Sequence, residues 1–418
     1  MKLHELAKRL YPINRSLTGD GVRESLRILQ EHLPLEIHEI PTGTQVYDWE
    51  IPREWNLTDA YIKGPDGRKV VDFKDHNLHV VGYSVPFQGT LTLEELSEHL
   101  YSLPDRPDLI PYITSYYKER WGFCLTHRQR EALPEGNYEV CVDSSLEPGH
   151  LTYADLLIPG EVEDEILLSS YVCHPSMANN ELSGPIVTTA LAKELLERKN
   201  YYSYRIVLVP ETIGAIAYIH ENYDDMKERV KGGYVVTCCG DDEGYSYLHS
   251  RKEGRLADRA ALQALKGRGL SFKEYSFLEC GSDNCHYDSP GVDLGIGSIM
   301  RSKYNEYPTY HTSGDDLDFI SEDGLQGALN VYLDAIEIIE NNFNYTRTTI
   351  CDPKLDKRGL YPTLSTPDST GHIKRMMNFL AYCDGERDLI GISEKIGVPA
   401  LELIPLAKTL LEKEVIKI

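Results

Sequence analysis

Side chains that can bind a metal or transfer a proton follow apolar runs in the middle of this 418-residue chain. His174 follows residues 165–173, Glu211 follows residues 204–209, and His311 stands in a later polar segment. An imidazole can coordinate a metal or move a proton near neutral pH, and a carboxylate can act as a general base. These residues are therefore candidates for metal-assisted or acid–base chemistry.

The elements that would position these residues are indicated by apolar, β-branched runs typical of buried strands. Four such runs cover residues 165–173, 204–209, 233–239 and 294–300. Helical patterns lie between them, for example at residues 185–198, which predicts a mixed, largely parallel sheet flanked by helices. Ligands of such sheets bind beyond the carboxyl ends of the strands, which is where His174 and Glu211 stand.

Further motifs stand in a recognisable order. Residues 180–184 read Asn-Glu-Leu-Ser-Gly, a glycine stands three residues after Glu211, and residues 310–315 read Tyr-His-Thr-Ser-Gly-Asp. Over residues 169–320 this order resembles the zinc aminopeptidase family, which also contains glutamate carboxypeptidase and glutaminyl cyclase and has Asp-Asn-x-Ser-Gly in the first of these loops. The whole layout more narrowly resembles bacterial aminopeptidase-like proteins with an inserted domain and a C-terminal winged helix.

The resemblance implies roles for four residues. His174 and His311 match the first and last metal-binding histidines of the family, and neutral imidazoles suit zinc. Glu211 matches the catalytic glutamate, which takes a proton from zinc-bound water and returns it to the leaving amine. Asn180 falls at the metal-bridging aspartate, where an amide is a weaker and uncharged ligand.

Two further departures from the family lower the expected metal content. Thr212 and Thr237 fall where the family has other ligand carboxylates. The resemblance therefore implies at most one zinc ion, bound by the two histidines and with an open water position. The remaining candidate ligands are Asn180, Glu181 and Asp242.

Residues around the fourth apolar run are candidates for substrate binding. Asp283 matches a family aspartate beside the substrate groove. Arg301, Lys303 and Tyr304 follow residues 294–300 and precede His311. An arginine fork can bind the carboxylate of a substrate or a sugar acid, so we predict substrate contacts from Asp283, Arg301 and Tyr304.

Each candidate also fits a simpler structural role, because polar residues at strand ends often bond to backbone or cap helices. These alternative roles are a strand-end histidine at His174, helix caps at Glu211 and Ser183, a turn residue at Asn180, a loop brace at Asp283 and a surface charge at Arg301.

Turn signals divide the chain into three predicted domains. Residues 51–146 break the alternation of strands and helices with a turn and a Pro- and Tyr-rich stretch, which predicts an inserted α+β domain. Residues 1–50 and 147–345 would then form the zinc-aminopeptidase-like domain. Residues 352–418 carry three short helical patterns and a final strand, typical of a winged helix-turn-helix.

Charge and cysteine usage narrow the function classes. The formal charge of -23 disfavours nucleic-acid binding. The C-terminal module has ten basic and ten acidic residues, so it favours protein contacts, including self-association, over DNA. Nine scattered cysteines indicate reduced thiols, and no apolar run suits a signal or a membrane span. We therefore expect a cytoplasmic protein.

These features predict a zinc-dependent hydrolase of a peptide or of a small amide-containing substrate, with water activated by one metal and Glu211. The alternative is a binding or scaffold protein that keeps the peptidase fold without its chemistry. A link to polysaccharide biosynthesis is implied only by the narrower resemblance.

Overall fold

The computed structural model describes residues 2–116, 118–360 and 367–418. Its strands are β1 (Glu36–Pro41), β2 (Gln45–Val46), β3 (Trp49–Glu50), β4 (Glu54–Lys63), β5 (Lys69–Asp72), β6 (Phe87–Thr92), β7 (Leu100–Tyr101), β8 (Phe123–Cys124), β9 (Asn137–Glu147), β10 (His150–Ile158), β11 (Glu165–Tyr171), β12 (Ser203–Val209), β13 (Val230–Val235), β14 (Tyr245–Leu248), β15 (Phe272–Tyr275), β16 (Ile296–Met300), β17 (Asn344–Arg347), β18 (Asp384–Asp388) and β19 (Ile416–Lys417). Its α-helices are α1 (Leu3–Leu10), α2 (Asp20–Gln30), α3 (Leu93–Ser97), α4 (His127–Glu131), α5 (Ser183–Leu196), α6 (Ile213–Arg229), α7 (Leu256–Gly267), α8 (Asn284–Tyr287), α9 (Glu322–Glu340), α10 (Pro367–Ala381), α11 (Leu389–Ile396) and α12 (Ala400–Glu412).

The main sheet has the order β1-β10-β12-β11-β13-β16-β14-β15. The four central strands, β12, β11, β13 and β16, run parallel to one another. They overlap the four apolar runs predicted as buried strands, although β13 ends at Val235, before the end of the predicted run at residue 239. Every residue of β11 and β12 is buried. The outer pairs β1 with β10, β10 with β12 and β14 with β16 are antiparallel. The prediction of a mixed, largely parallel sheet is confirmed.

Helices cover both faces of this sheet, because strands that are apolar on both sides need a layer on each. The core on one face includes buried residues of α1, α2, α5, α7 and α9. The core on the other face is built around α6 and α8. None of the helices in the described ranges combines the length and apolar composition that a bilayer span requires.

The segment between β11 and α5 shapes the edge of the sheet. A π-helical turn, Ala178–Leu182, leads into α5, and Ser183 is the first residue of that helix. The Ser183 hydroxyl donates to the Asn179 carbonyl at 2.5 Å and accepts from the Cys239 backbone N–H at 2.8 Å. The prediction of Ser183 as the N-cap is wrong, because the preceding turn already provides carbonyls for the first N–H groups of α5.

Gly184 lets this helix lie directly against the sheet. A Cβ at this position would lie 2.3 Å from the Val236 carbonyl oxygen and 2.4 Å from the Ser170 hydroxyl. We expect Gly184→Ala to lower the free energy of unfolding by about 1–3 kcal/mol, because backbone must move to admit the methyl group. Urea unfolding checks this, with Gly244→Ala as control because its new Cβ would meet nothing within 4 Å. Equal midpoints for the two variants would contradict the prediction.

Residues 54–147 add an antiparallel sheet of order β5-β4-β9-β6, with α3 and α4 beside it. Its separate apolar core contains Trp121, whose ring stacks on Phe87 at 4.1 Å and His99 at 3.8 Å. A loop of this unit reaches the main domain, where Pro111 bridges to Thr312. The domain boundaries at residues 51 and 146 stay a prediction.

The C-terminal module consists of the sheet β18-β17-β19 with α10, α11 and α12, the arrangement of a winged helix-turn-helix. Arg259 of α7 donates two hydrogen bonds to the Asp388 carboxylate, at 2.6 and 2.7 Å. Asp388 also caps α11 by accepting from the Gly391 N–H at 2.8 Å. Because α12 packs against α7 and α9, the module is docked on the main domain.

Candidate functional site

Three predicted residues meet at the carboxyl edge of the central strands. The His174 Nε2 atom lies 3.6 Å from Glu211 Oε2. The ring centroids of His174 and His311 are 5.5 Å apart. All three side chains line one cavity of about 350 Å³. The structure therefore brings together the residues that were predicted as two metal ligands and a base.

Glu181 orients the His174 ring. Its Oε2 lies 2.8 Å from His174 Nδ1. A carboxylate accepts hydrogen bonds, so Nδ1 donates its hydrogen to Glu181 and Nε2 is the ring nitrogen that faces Glu211. Burial opposes a charge on His174, but its contacts with Cys173 and Glu181 raise the pKa of His174 well above its usual value, so a metal ion bound at Nε2 would displace a proton. Glu181 thus lies behind the imidazole and not in the cavity.

Arg15, from the N-terminal segment, contacts both His174 and Glu181. Its Nε donates to the His174 carbonyl at 3.0 Å and lies 4.0 Å from Glu181 Oε1. The same Glu181 oxygen accepts from the Cys173 N–H. Sequence reasoning missed Arg15, because a single arginine 159 residues before His174 carries no local signal.

Glu211 is held by the loop that precedes α8. The Ser282 hydroxyl donates to Glu211 Oε1 at 3.0 Å, which leaves Oε2 toward His174. Among the described residues, no backbone N–H of α6 donates to the Glu211 carboxylate. The helix-cap alternative for Glu211 therefore lacks support. Burial raises the pKa of Glu211. A raised pKa suits a group that must both accept and return a proton.

Four residues near this edge of the sheet have a strained backbone. Ser176, Thr212, Cys238 and His311 all have positive φ angles, of 42°, 64°, 51° and 53°. Each such residue costs of order 1–3 kcal/mol, and strain of this kind clusters at functional sites. The strained residues follow β11, β12 and β13 or lie at His311 itself, so the fold maintains tight turns where the candidate ligands stand.

Asn180 is fixed through its amide nitrogen. Its Nδ2 donates to the Tyr171 hydroxyl at 3.1 Å, and its backbone carbonyl accepts from the Thr237 hydroxyl at 3.0 Å. Its Oδ1 is buried without a hydrogen-bond partner among the described residues. Thr237 therefore braces Asn180, while Oδ1 is a free oxygen donor of the kind a metal ligand needs.

Asp283 supports the turn after Glu211. Its Oδ1 accepts from the Thr212 N–H at 2.8 Å, whereas Oδ2 is buried without a hydrogen-bond partner in the described ranges. Burial and the nearby Glu211 carboxylate raise the pKa of Asp283 well above its usual range. The structure places Asp283 beneath the site, in agreement with the loop-brace role.

The spacing of the two imidazole rings is compatible with one metal ion between them. With Zn–N bonds of about 2.0–2.1 Å, two rings on one tetrahedral zinc have centroids about 5 Å apart, close to the observed separation. Burial lowers the pKa of His311 to about 3, so its ring is neutral. Cys173, His174 and Glu181 form a more compact donor set, within 4.8 Å of one another. Burial raises the pKa of Cys173 to about 12, however, and a protonated thiol is a poor ligand.

Tyr112 from the 54–147 unit closes the site. Its ring centroid lies 5.2 Å from that of His174 and 5.1 Å from that of His311. Its N–H donates to the His311 carbonyl at 3.0 Å. The Pro- and Tyr-rich composition of this stretch was its only sequence signal, and it did not indicate a site role.

The other predicted substrate residues lie elsewhere. Arg301 lines a second cavity, and its Nη2 atom lies 3.8 Å from Asp242 Oδ1. Tyr304 is buried, and its hydroxyl accepts from the Gly281 N–H at 3.0 Å. Tyr304 thereby supports the loop that carries Ser282. The structure does not bring Arg301 or Tyr304 into the cavity of His174.

Comparisons with known proteins agree with this architecture. Residues 4–342 match the family described as domain of unknown function DUF4910, and residues 344–418 match a winged helix-turn-helix family. A Clostridium acetobutylicum protein, named as a candidate polysaccharide biosynthesis protein with an aminopeptidase-like domain, is 42% identical over 419 residues, which cover 100% of this chain and 96% of that protein.

Solved structures show the same fold. The crystal structure of a candidate peptidase from Clostridium acetobutylicum has a TM-score of 0.94 at 42% identity, covering 99% of this chain and 95% of that one. A zinc aminopeptidase from Bacillus subtilis has a TM-score of 0.58 at 11% identity, covering 80% and 93%. The chain therefore belongs to the DUF4910 family, with an aminopeptidase-like fold related to the zinc aminopeptidases and a C-terminal winged helix-turn-helix.

Proposed function

We propose that the protein hydrolyses an amide bond of a peptide or small molecule, with Glu211 as general base and one zinc ion on His174 and His311. The observation that carries the proposal is the convergence of His174 Nε2, the Glu211 carboxylate and His311 on one cavity. The ring of Tyr112 forms part of the wall of that cavity. Amide hydrolysis needs this combination of a base and an electrophilic centre.

The residues around the cavity have separate roles in the proposed reaction. A zinc ion, when bound, supplies the Lewis acidity that polarises the amide and lowers the pKa of bound water. Ser282 holds one oxygen of Glu211, so the other oxygen accepts the proton and returns it to the leaving nitrogen. Glu181 holds Nδ1 of His174, which keeps Nε2 available in the cavity. The apolar lining of Tyr112 and Ile213 favours substrates with a hydrophobic group beside the amide.

Metal content tests this proposal directly. We expect protein purified without chelator to carry about one zinc ion per chain by plasma mass spectrometry, and His174→Ala to retain less than about a tenth of it, because two imidazoles hold the ion. His220→Ala is the matched control, since His220 is an exposed histidine of α6. A wild type without zinc, or equal zinc in His174→Ala, would sink the metal assignment.

A second candidate function is a peptidase-fold binding or scaffold protein without hydrolysis. It is favoured by Asn180, an uncharged residue whose amide nitrogen donates to the Tyr171 hydroxyl. It is also favoured by the threonines at positions 212 and 237, which cannot replace ligand carboxylates. The name of the Clostridium acetobutylicum relative would connect such a role to polysaccharide biosynthesis. A folded wild type that binds no zinc and cleaves no member of a peptide and aminoacyl-anilide panel would favour this function.

The C-terminal module has no part in the proposed chemistry. Its balanced charge and the packing of α12 on α7 and α9 disfavour DNA as its partner, because a recognition helix must enter the major groove. Self-association through this module stays a proposal. Light scattering on the full chain and on a chain ending at residue 342 would test it.

A further inference from the structure

A second cavity lies further along the carboxyl edge of the sheet. It has a volume of about 550 Å³ and is lined by the end of β16 and the starts of β14 and β15. Two buried cationic side chains and several aromatic rings line it, namely Arg301, Lys303, Tyr245, Phe272, Tyr275 and Phe319. Its volume lies in the range of small-molecule sites.

Lys303 is a buried cation without a counter-charge. It is only 5% exposed, and its ammonium donates to the Tyr304 carbonyl at 3.3 Å. The faces of Tyr275 and Tyr304 lie 5.1 and 4.3 Å from its nitrogen. No carboxylate of the described residues forms an ion pair with it. An ammonium has three donors and is costly to bury unpaired, so two donors remain for a ligand in the cavity.

Arg301 adds a second charge at the same place. It is 8% exposed, stacks on Tyr245 at 4.1 Å, and donates through Nε to the Asp241 carbonyl at 2.6 Å. Its nearest carboxylate, that of Asp242, lies 3.8 Å away and is 61% exposed to water. In the described part of the chain the Nη atoms donate no hydrogen bond, so they are available to an anion.

The rim of the cavity does not neutralise these charges. Its other charged residues are Glu243, Glu306 and Lys273, all exposed to solvent. Charges in water interact weakly with buried groups compared with a ligand that excludes water. A chain of formal charge -23 therefore encloses a local surplus of buried positive charge.

We propose that this cavity binds an anionic monosaccharide unit, whose charge is a carboxylate or a phosphate. The two cations hold the anionic group, as arginine and lysine hold carboxylates and phosphates elsewhere. The sugar ring places its apolar face on the aromatic wall of Phe272 and Phe319. Its hydroxyl groups donate to the hydroxyl oxygens of Ser246 and Ser302, whose own hydrogens go to the Arg301 carbonyl and the Asp241 carboxylate.

This inference goes beyond the proposed hydrolysis and does not depend on it. The two cavities share no lining residue: Arg301 and Lys303 line one and His311 lines the other. Sugar binding is measured without metal and without turnover. A failed zinc or hydrolysis assay and a failed sugar titration are therefore separate results.

Calorimetric titration of the full chain tests the proposal with D-glucuronate, glucose 6-phosphate, D-glucose and inorganic phosphate. We expect one anionic sugar to bind at least about tenfold more tightly than glucose, because charge-assisted hydrogen bonds contribute most of the affinity. The glucuronate and glucose 6-phosphate titrations distinguish the carboxylate from the phosphate. Inorganic phosphate should bind more weakly than the preferred sugar, because it lacks the ring.

Lys303→Met should weaken binding of the preferred sugar by about tenfold or more, since it removes the unpaired charge and keeps the packing. Lys266→Met, an exposed lysine of α7, should leave the affinity within about twofold. Equal affinity for glucose and both anionic sugars would overturn the proposal. Phosphate binding as tight as that of the sugar phosphate would overturn the sugar assignment. If Lys303→Met does not fold, the wild-type titrations decide alone.

Discussion

Glu211→Gln is expected to lower kcat for amide hydrolysis by about a hundredfold to ten-thousandfold, the usual contribution of a positioned general base. Glutamine keeps the size of the side chain and can still accept the hydrogen bond of Ser282, so the turn should remain intact. It cannot take a proton from water at neutral pH. The zinc content should stay unchanged, because Glu211 is not one of the proposed zinc ligands.

The measurement uses a peptide and aminoacyl-anilide panel together with metal analysis of the same samples. Glu228→Gln is a suitable control, since Glu228 is an exposed carboxylate on α6. Unchanged turnover in Glu211→Gln would remove Glu211 from the mechanism. Loss of zinc in the same variant would make Glu211 a ligand and not a base.

Arg15→Met is expected to lower the free energy of unfolding by about 3–5 kcal/mol, the cost of breaking a buried ion pair by removing one partner. The side chains of Arg15 and Glu181 are both fully buried, and their charged groups lie 4.0 Å apart. Without Arg15, the Glu181 carboxylate is left in a dry interior beside His174. The loss of the hydrogen bond to the His174 carbonyl adds to the effect.

Urea unfolding measures this loss, and two comparisons make it specific. Arg9→Met removes a surface pair with Glu31 that is closer, at 2.9 Å, but half exposed on both sides, so it should cost no more than about 1 kcal/mol. The double variant Arg15→Met with Glu181→Gln should lose less free energy of unfolding than the two single variants lose together, because neither partner of the buried pair is then left without the other. A loss for Arg15→Met as small as that for Arg9→Met would show that the buried pair contributes little.

Regular elements were predictable where a local pattern carries the information. The four apolar runs overlap the central parallel strands, and the helical pattern at residues 185–198 lies mostly within α5, Ser183–Leu196. The start of α5 was predicted incorrectly, because a π-helical turn before Ser183 has no recognisable residue pattern. Thr237 was interpreted only as a position where the family's ligand carboxylate is missing. The structure shows that its hydroxyl donates to the backbone carbonyl of Asn180.

The sequence by itself determined which residues stand at the carboxyl ends of the strands, because strand length and order follow from local hydrophobicity. His174 and Glu211 were identified on that ground. The tertiary structure alone decided that Arg15 lies behind His174, that Tyr112 closes the cavity and that Arg301 lines a different one. These placements depend on contacts between distant segments, and local periodicity carries no information about which distant side chains share one interior space.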